Sequence, residues 1–180
     1  MTKEFWSIRG CVVQRFAFLL LLTLFYKSVS GGTLEVVVVD TEGVALPSRV
    51  LVRPVGGECV VPDQAVVLEI GADRWFMSPG ASSVQVPDGR VLLRVEHGLE
   101  YQRFKEEVLV EGPTAKKTVA LKRWVNMREL GYRSGENHLH VGSIRLAPML
   151  AAEGLDFGTS MTWWNGPDSD WCLPVPPGQG

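Results

Sequence analysis

Two of the chain's three histidines stand one residue apart, in His138-Leu139-His140. In an extended strand, residues i and i+2 project from the same face, so both imidazoles would converge on one point a few ångströms away. That is the geometry a divalent cation requires. Glu136 and Asn137 stand beside the pair, and Gly135 leaves room for close approach. The same spacing also occurs in surface or partly buried pairs with no ligand role, so the spacing alone leaves both readings open. Other chemistries lack their residues. The chain has no Gly-x-Ser-x-Gly, no Gly-x-Gly-x-x-Gly, no phosphate loop and no Cys-x-x-Cys, so nucleophile-elbow, dinucleotide, nucleotide-phosphate and thiol-redox readings have nothing to rest on. His97, within Glu96-His97-Gly98, reads as an exposed turn residue without a role.

The histidine pair needs a strand, and the surrounding text supplies one. Tyr132 to Val141 begins a new unit, and Arg145 to Glu153 has helical composition, with Leu146, Met149 and Leu150 at i, i+3 and i+4. Pro148 is acceptable only near that helix's first turn. A second strand is predicted from Phe157 to Thr162, and strand, helix, strand is the opening of an α/β domain. Residues 124–180 number only 57, far short of the roughly 250 that a complete (β/α) barrel takes, so the domain that begins at Tyr132 is present only in its first βαβ unit. The expectation is therefore a fragment of a barrel, or a stranded remnant of one.

Upstream the texture differs. From Thr33 to about Arg123, seven short β-type runs follow one another: Leu34–Val39, Arg49–Arg53, Ala65–Ile70, Ser83–Val86, Val91–Val95, Phe104–Val110 and Lys117–Leu121. Turn signals separate them at Asp40-Thr41-Glu42-Gly43, Ser78-Pro79-Gly80, Pro87-Asp88-Gly89 and Glu111-Gly112-Pro113. With no helical period between them, these runs predict a mainly β fold, a seven-stranded antiparallel β-sandwich followed by the βαβ start of an incomplete α/β barrel.

Composition is that of a folded globular chain: 180 residues, 46% apolar, 21% charged. Residues 31–180 carry 14 basic and 19 acidic side chains, a balance of −5, which excludes a nucleic-acid footprint. The first thirty residues read as an address. Lys3, Arg9 and Arg15 precede the apolar run Phe16 to Tyr26, and Ser28-Val29-Ser30 places small residues before Gly31. At about 1.5 Å per residue that run is too short for a hydrocarbon core of about 30 Å, so a cleaved secretory signal is favoured over a retained anchor, and no stable membrane span is expected after cleavage. The boundaries that follow are 1–30 signal peptide, 31–123 β-sandwich, 124–131 linker, 132–165 α/β unit and 166–180 an unstructured end. Export to the periplasm or the extracellular space permits disulfides. Cys59 and Cys172 lie in different regions, which favours two separate thiols over a pair.

Two resemblances add to this reading. Val36-Val37-Val38-Val39-Asp40 through Gly43, with Leu46-Pro47, Arg49-Val50 and Pro87-Asp88-Gly89, resembles the carboxypeptidase-regulatory-like, prealbumin-type sandwiches of exported enzymes. More specifically, Ser134-Gly135-Glu136-Asn137-His138-Leu139-His140, then Ala152-Glu153-Gly154-Leu155-Asp156, then Thr162-Trp163-Trp164-Asn165, resembles the start of the PHP (polymerase and histidinol phosphatase) metallohydrolases, in their carbaryl-hydrolase-like CehA/McbA branch. That resemblance implies a distorted (β/α) barrel with its metal site at the C-terminal strand ends and metal-activated water as nucleophile. It makes His138 and His140 first-strand ligands of zinc or manganese, and Glu153 a ligand or orienter. It also places Glu136, Trp163, Trp164 and Asn165 around the pocket. Indole cannot ligate a cation, so the two tryptophans, standing where the wider superfamily has Asp and His, leave the metal number open.

The function these residues point to is the N-terminal part of an exported metal-dependent hydrolase of ester, amide or phosphoester bonds, acting on a small-molecule or polymer substrate and inactive as this chain alone. The alternative is a secreted β-sandwich that binds a glycan or protein partner, with Trp75, Phe76 and Tyr101 as a contact patch and the hydrolase segment vestigial.

Overall fold

The first β run, Gly31–Val39 (β1), shows why the chain folds into sheets. Its side chains alternate, with Leu34, Val36 and Val38 fully buried and Glu35, Val37 and Val39 half-buried on the other face. In this computed structural model, which describes residues 31–160, the fold is mainly β with one short helix. β2 spans Ser48–Pro54, β3 Val67–Ile70, β4 Asp73–Ser78, β5 Ala81–Pro87, β6 Gly89–Glu96, β7 Phe104–Val110 and β8 Thr114–Ala120. A five-stranded sheet, ordered β3-β4-β2-β6-β7, is antiparallel throughout, and a three-stranded sheet is ordered β5-β1-β8. The inward residues of both sheets share one core: Leu34, Val36 and Val38 meet Val50, Val52, Phe76, Val84, Val91, Leu93 and Val95. Burying a side chain of this kind contributes about 1.5–3 kcal/mol, which makes the shared core the main stabilising element.

Two details correct the sequence expectation. The two sheets contain eight strands among the described residues, not seven; the unforeseen one is β4, where Trp75 and Phe76 are 3% and 0% exposed. They face opposite sides of the strand. Phe76 enters the shared core, and Trp75 joins Leu51, Cys59 and Leu68 on the outer face of the five-stranded sheet. Neither can therefore belong to an exposed contact patch. The second correction concerns direction: β8 runs parallel to β1, from Thr33↔Thr114 to Val39↔Ala120, whereas β5 pairs with β1 antiparallel. The chain leaves β7 in one sheet, turns at Glu111-Gly112-Pro113 and enters β8 in the other, so it arrives beside β1 with the same polarity. Gly32 permits this crossing, because a β-carbon there would collide with the Gly112 carbonyl.

A charged lattice covers the outer face beside Trp75. Glu96, 3% exposed, accepts from Arg49 Nη2 at 2.5 Å and from Arg94 Nη2 at 3.1 Å. Both guanidiniums also lie over the Trp75 ring, 5.2 and 4.6 Å from its centroid. Asp73 takes Arg94 at 3.1 Å and Arg53, whose guanidinium also donates to Cys59 Sγ at 3.2–3.3 Å. A buried carboxylate is tolerated here because two cations satisfy it.

Downstream, β9 (Gly135–Leu139), α1 (Ser143–Ala152) and β10 (Phe157–Ser160) form a βαβ unit, with β10 parallel to β9. The helix begins two residues before the expected start, which places Pro148 in its second turn rather than the first. Pro148 has no N–H to donate to the Ile144 carbonyl, a local cost that the packing of α1 offsets. That packing puts Leu150 and Leu139 over Gly158, where a β-carbon would collide with both, and buries Ala152 completely. At its C-terminus the Leu155 amide donates to the Leu150 carbonyl (2.9 Å) and the Gly154 amide to the Ala151 carbonyl (3.2 Å), with Gly154 at φ +64°. This is a complete Schellman cap. No helix among the described residues is long and apolar enough to cross a membrane.

Candidate functional site

The expected convergence of the histidine pair is present. His138 closes in on His140 with its Nε2 atom 3.0 Å from the other Nε2, the ring centroids 4.9 Å apart and the planes inclined by 60°. Strand pleat accounts for this, since His138 lies in β9 and His140 follows its last residue on the same face. The pair sits at the C-terminal end of β9, where Ser160 Oγ, closing β10, donates to the Val141 carbonyl at 2.5 Å. His138 is exposed and His140 half-buried. Glu136 accepts the backbone amide of His138 at 3.0 Å, bracing the strand beside the pair.

The remaining expected residues are placed differently. Glu153 is the C-cap of α1, and its carboxylate accepts from Arg49 Nη1 on β2 at 2.9 Å. The structure thus ties Glu153 to the charged lattice, and no group of three or more His, Cys, Asp and Glu side chains suited to a cation occurs among the described residues. The space above Gly135 is filled by the Phe157 ring of the neighbouring strand, into which a β-carbon would run. Trp163, Trp164 and Asn165 lie outside the described residues, as do the signal segment 1–30 and Cys172. Asp156 ties the two strand starts together: Oδ2 accepts the Ser134 amide at 2.9 Å, and Oδ1 accepts from Arg128. The Ser134 amide, opposed by partial burial and aided by Arg128 and Arg133, holds the Asp156 carboxyl below its ordinary range.

A second feature lies where the βαβ unit meets the turn between β6 and β7. A cleft of about 360 Å³ opens there, walled on one side by the His97–Tyr101 turn and on the other by Tyr132–Ser134 and the α1 cap. His97 forms part of this wall, which corrects its reading as an exposed turn residue. Its Nδ1 donates to the Pro47 carbonyl at 2.5 Å and its ring meets Tyr101 edge-on at 4.8 Å, while Gly154 packs against the opposite ring edge. Burial lowers the His97 pKa and outweighs the opposing bond to Pro47; Arg123 lowers it further, and Glu100 and the Ala152 carbonyl raise it. Gly98, at φ +50°, allows the approach, because a β-carbon there would strike the Glu153 carbonyl oxygen. The sequence signal that could have found this junction is a His-Gly turn facing a Glu-Gly helix end, two weak signals joined only in space.

The charges around the cleft are unequally satisfied. Glu100 accepts Arg123 Nε at 2.9 Å and the Met127 amide at 3.4 Å, and Arg123 also lies over the Tyr101 ring. Glu153 is held by Arg49. Arg133 has no carboxylate partner within ion-pair distance among the described residues; its guanidinium reaches only the Tyr132 carbonyl, at 3.5 Å.

No family model and no curated protein matches the sequence. Among solved structures the chain is similar to the Bacillus anthracis TIE protein, at 20% identity and a TM-score of 0.35, covering 52% of this chain and 17% of that one. It is also similar to the group B streptococcus pilus 2b backbone protein, at 12% identity and a TM-score of 0.38, over 56% of this chain and 43% of that one. The chain spans less than half the length of either, and likenesses this distant carry no functional argument.

Proposed function

We propose that the chain is the N-terminal part of an exported divalent-metal hydrolase, in which a β-sandwich built from the two sheets carries the opening βαβ unit of a PHP-like barrel. The observation that carries this reading is the 3.0 Å approach of two imidazole nitrogens at the C-terminal end of a parallel strand. Two nitrogens sharing a tetrahedral zinc at about 2.0–2.1 Å stand roughly 3.3 Å apart, so the donor pair fits such an ion with a small opening. In barrel enzymes, chemistry sits at that end of the strands. A bound zinc or manganese would supply Lewis acidity and water activated near neutral pH. His138 and His140 would hold it, with the backbone of β9 braced by Glu136.

Two imidazoles are fewer than the three protein ligands of a catalytic zinc site. The chain by itself is therefore expected to bind the cation weakly and to turn nothing over. The test is calorimetric titration of zinc and manganese into the 180-residue chain, with hydrolysis of generic esters measured in parallel. Weak binding lost in both His138→Ala and His140→Ala supports the reading. Metal binding indifferent to both substitutions, or the same binding with only one of them, refutes it.

A further inference from the structure

We infer that the cleft between the β6–β7 turn and the α1 cap is a binding site for a small amphipathic anion, a one- or two-ring aromatic carboxylate, recognised by apolar walls and by Arg133. The site is separate from the histidine pair and involves none of its residues.

Three observations carry the inference. First, the volume of about 360 Å³ lies within the range of small-molecule sites and holds a bicyclic acid with room to spare. Second, the lining is apolar and aromatic: Leu99, Tyr101, Met127, Tyr132 and Leu155 line it, and Leu99 and Tyr132 are 84% and 62% exposed, so large apolar surface stands at the mouth with nothing else to cover it among the described residues. Flat rings stack on such walls. Third, the charges select the sign of the ligand. Every other charge on the wall is spent, Arg123 on Glu100 and Glu153 on Arg49, which leaves Arg133 as a surplus cation. Asp156 attracts Arg133 only at longer range and is itself already bonded to Arg128. A carboxylate offers a guanidinium the planar pair of acceptors that it matches best. Trp124 Nε1 donates to the Leu99 carbonyl at 2.9 Å and so fixes the rim, leaving a preformed site rather than one that must collapse onto a ligand.

The probes are 2-naphthoate and its neutral analogue 2-naphthylmethanol, titrated into the 180-residue chain by calorimetry, with two-dimensional amide NMR to locate the contact. Naphthoate is expected to shift the amides of Leu99–Tyr101, Tyr132–Ser134 and Gly154–Leu155, and to bind about tenfold more tightly than the alcohol. Arg133→Gln should bring naphthoate to the affinity of the alcohol and leave the alcohol unchanged. Arg90→Gln, on β6 and paired with Glu107 away from the cleft, should change neither. The inference is overturned if naphthoate shifts amides elsewhere, if alcohol and acid bind alike, or if Arg133→Gln binds the acid as well as the parent does. Metal titration of the histidine pair is read independently, so failure here leaves the hydrolase reading standing, and the converse also holds.

Discussion

The eight-stranded region and the βαβ segment use apolar residues in opposite ways. In the first, Leu34, Val36, Val50, Val52, Phe76, Leu93 and their neighbours are at or near 0% exposure and belong to one core. In the second, Ala152 alone among the described residues falls in the buried hydrophobic class, while Ile144 and Phe157 are 84% and 53% exposed. The first region is held by its own interior. The second is held largely by what it touches: Arg145 donating to the Val67 carbonyl, Glu153 paired with Arg49, and Gly98 seated under the Glu153 carbonyl. The histidine pair thus lies on the segment with the weaker core, and the geometry of that segment depends on a narrow junction.

Breaking the strong side should have the largest effect. Phe76→Ala removes a fully buried ring from the shared core and should cost about 3–5 kcal/mol, measured as a lower urea midpoint at unchanged slope. Glu96→Gln comes next. It removes one of the two carboxylates that each of Arg49 and Arg94 engages, leaving Arg49 only Glu153 and Arg94 only Asp73. Because both guanidiniums keep some solvent and a second partner, the loss should be about 2 kcal/mol. Gly98→Ala sharpens the contrast between regions. The added methyl meets the Glu153 carbonyl and the φ of +50° disfavours it, for about 1–2 kcal/mol. Hydrogen exchange should then speed up in α1 while β1 and β6 amides stay protected; uniform acceleration would show that the two regions open together.

The smallest effect is a pH dependence. Burial depresses the folded pKa of His97, so the neutral ring is the form the junction favours. The unfolded chain then binds the proton more readily, and stability is fully present above the unfolded value near 6.5 and is lost as pH falls through the folded one. His97→Gln should flatten the stability profile in that window. If its slope matched the parent's, His97 would not be what couples the junction to pH.

Legibility in the sequence followed the same division. Runs of β-branched residues cut by Gly, Pro and Asp announced most strands, because alternation and turn chemistry are local. β4 escaped because Asp73-Arg74-Trp75-Phe76-Met77-Ser78 buries residues on both faces, and a strand buried twice does not alternate. The direction of β8 escaped because polarity beside β1 is set by a crossing between sheets. The histidine convergence was legible, since i and i+2 share a face in any strand. The burial of His97 was not, for it depends on Pro47, Tyr101 and Gly154, which approach from three separate stretches of chain.

What the sequence determined by itself is whatever acts over a few residues: strand and helix type, the Schellman cap at Gly154, and the shared direction of His138 and His140. Only the tertiary structure decided which charges are satisfied. Glu153 turns to Arg49 across 104 positions, while Arg133 is left with no partner carboxylate among the described residues. The reason is physical: backbone geometry has a short range along the chain, whereas Coulombic pairing and burial depend on distance through space.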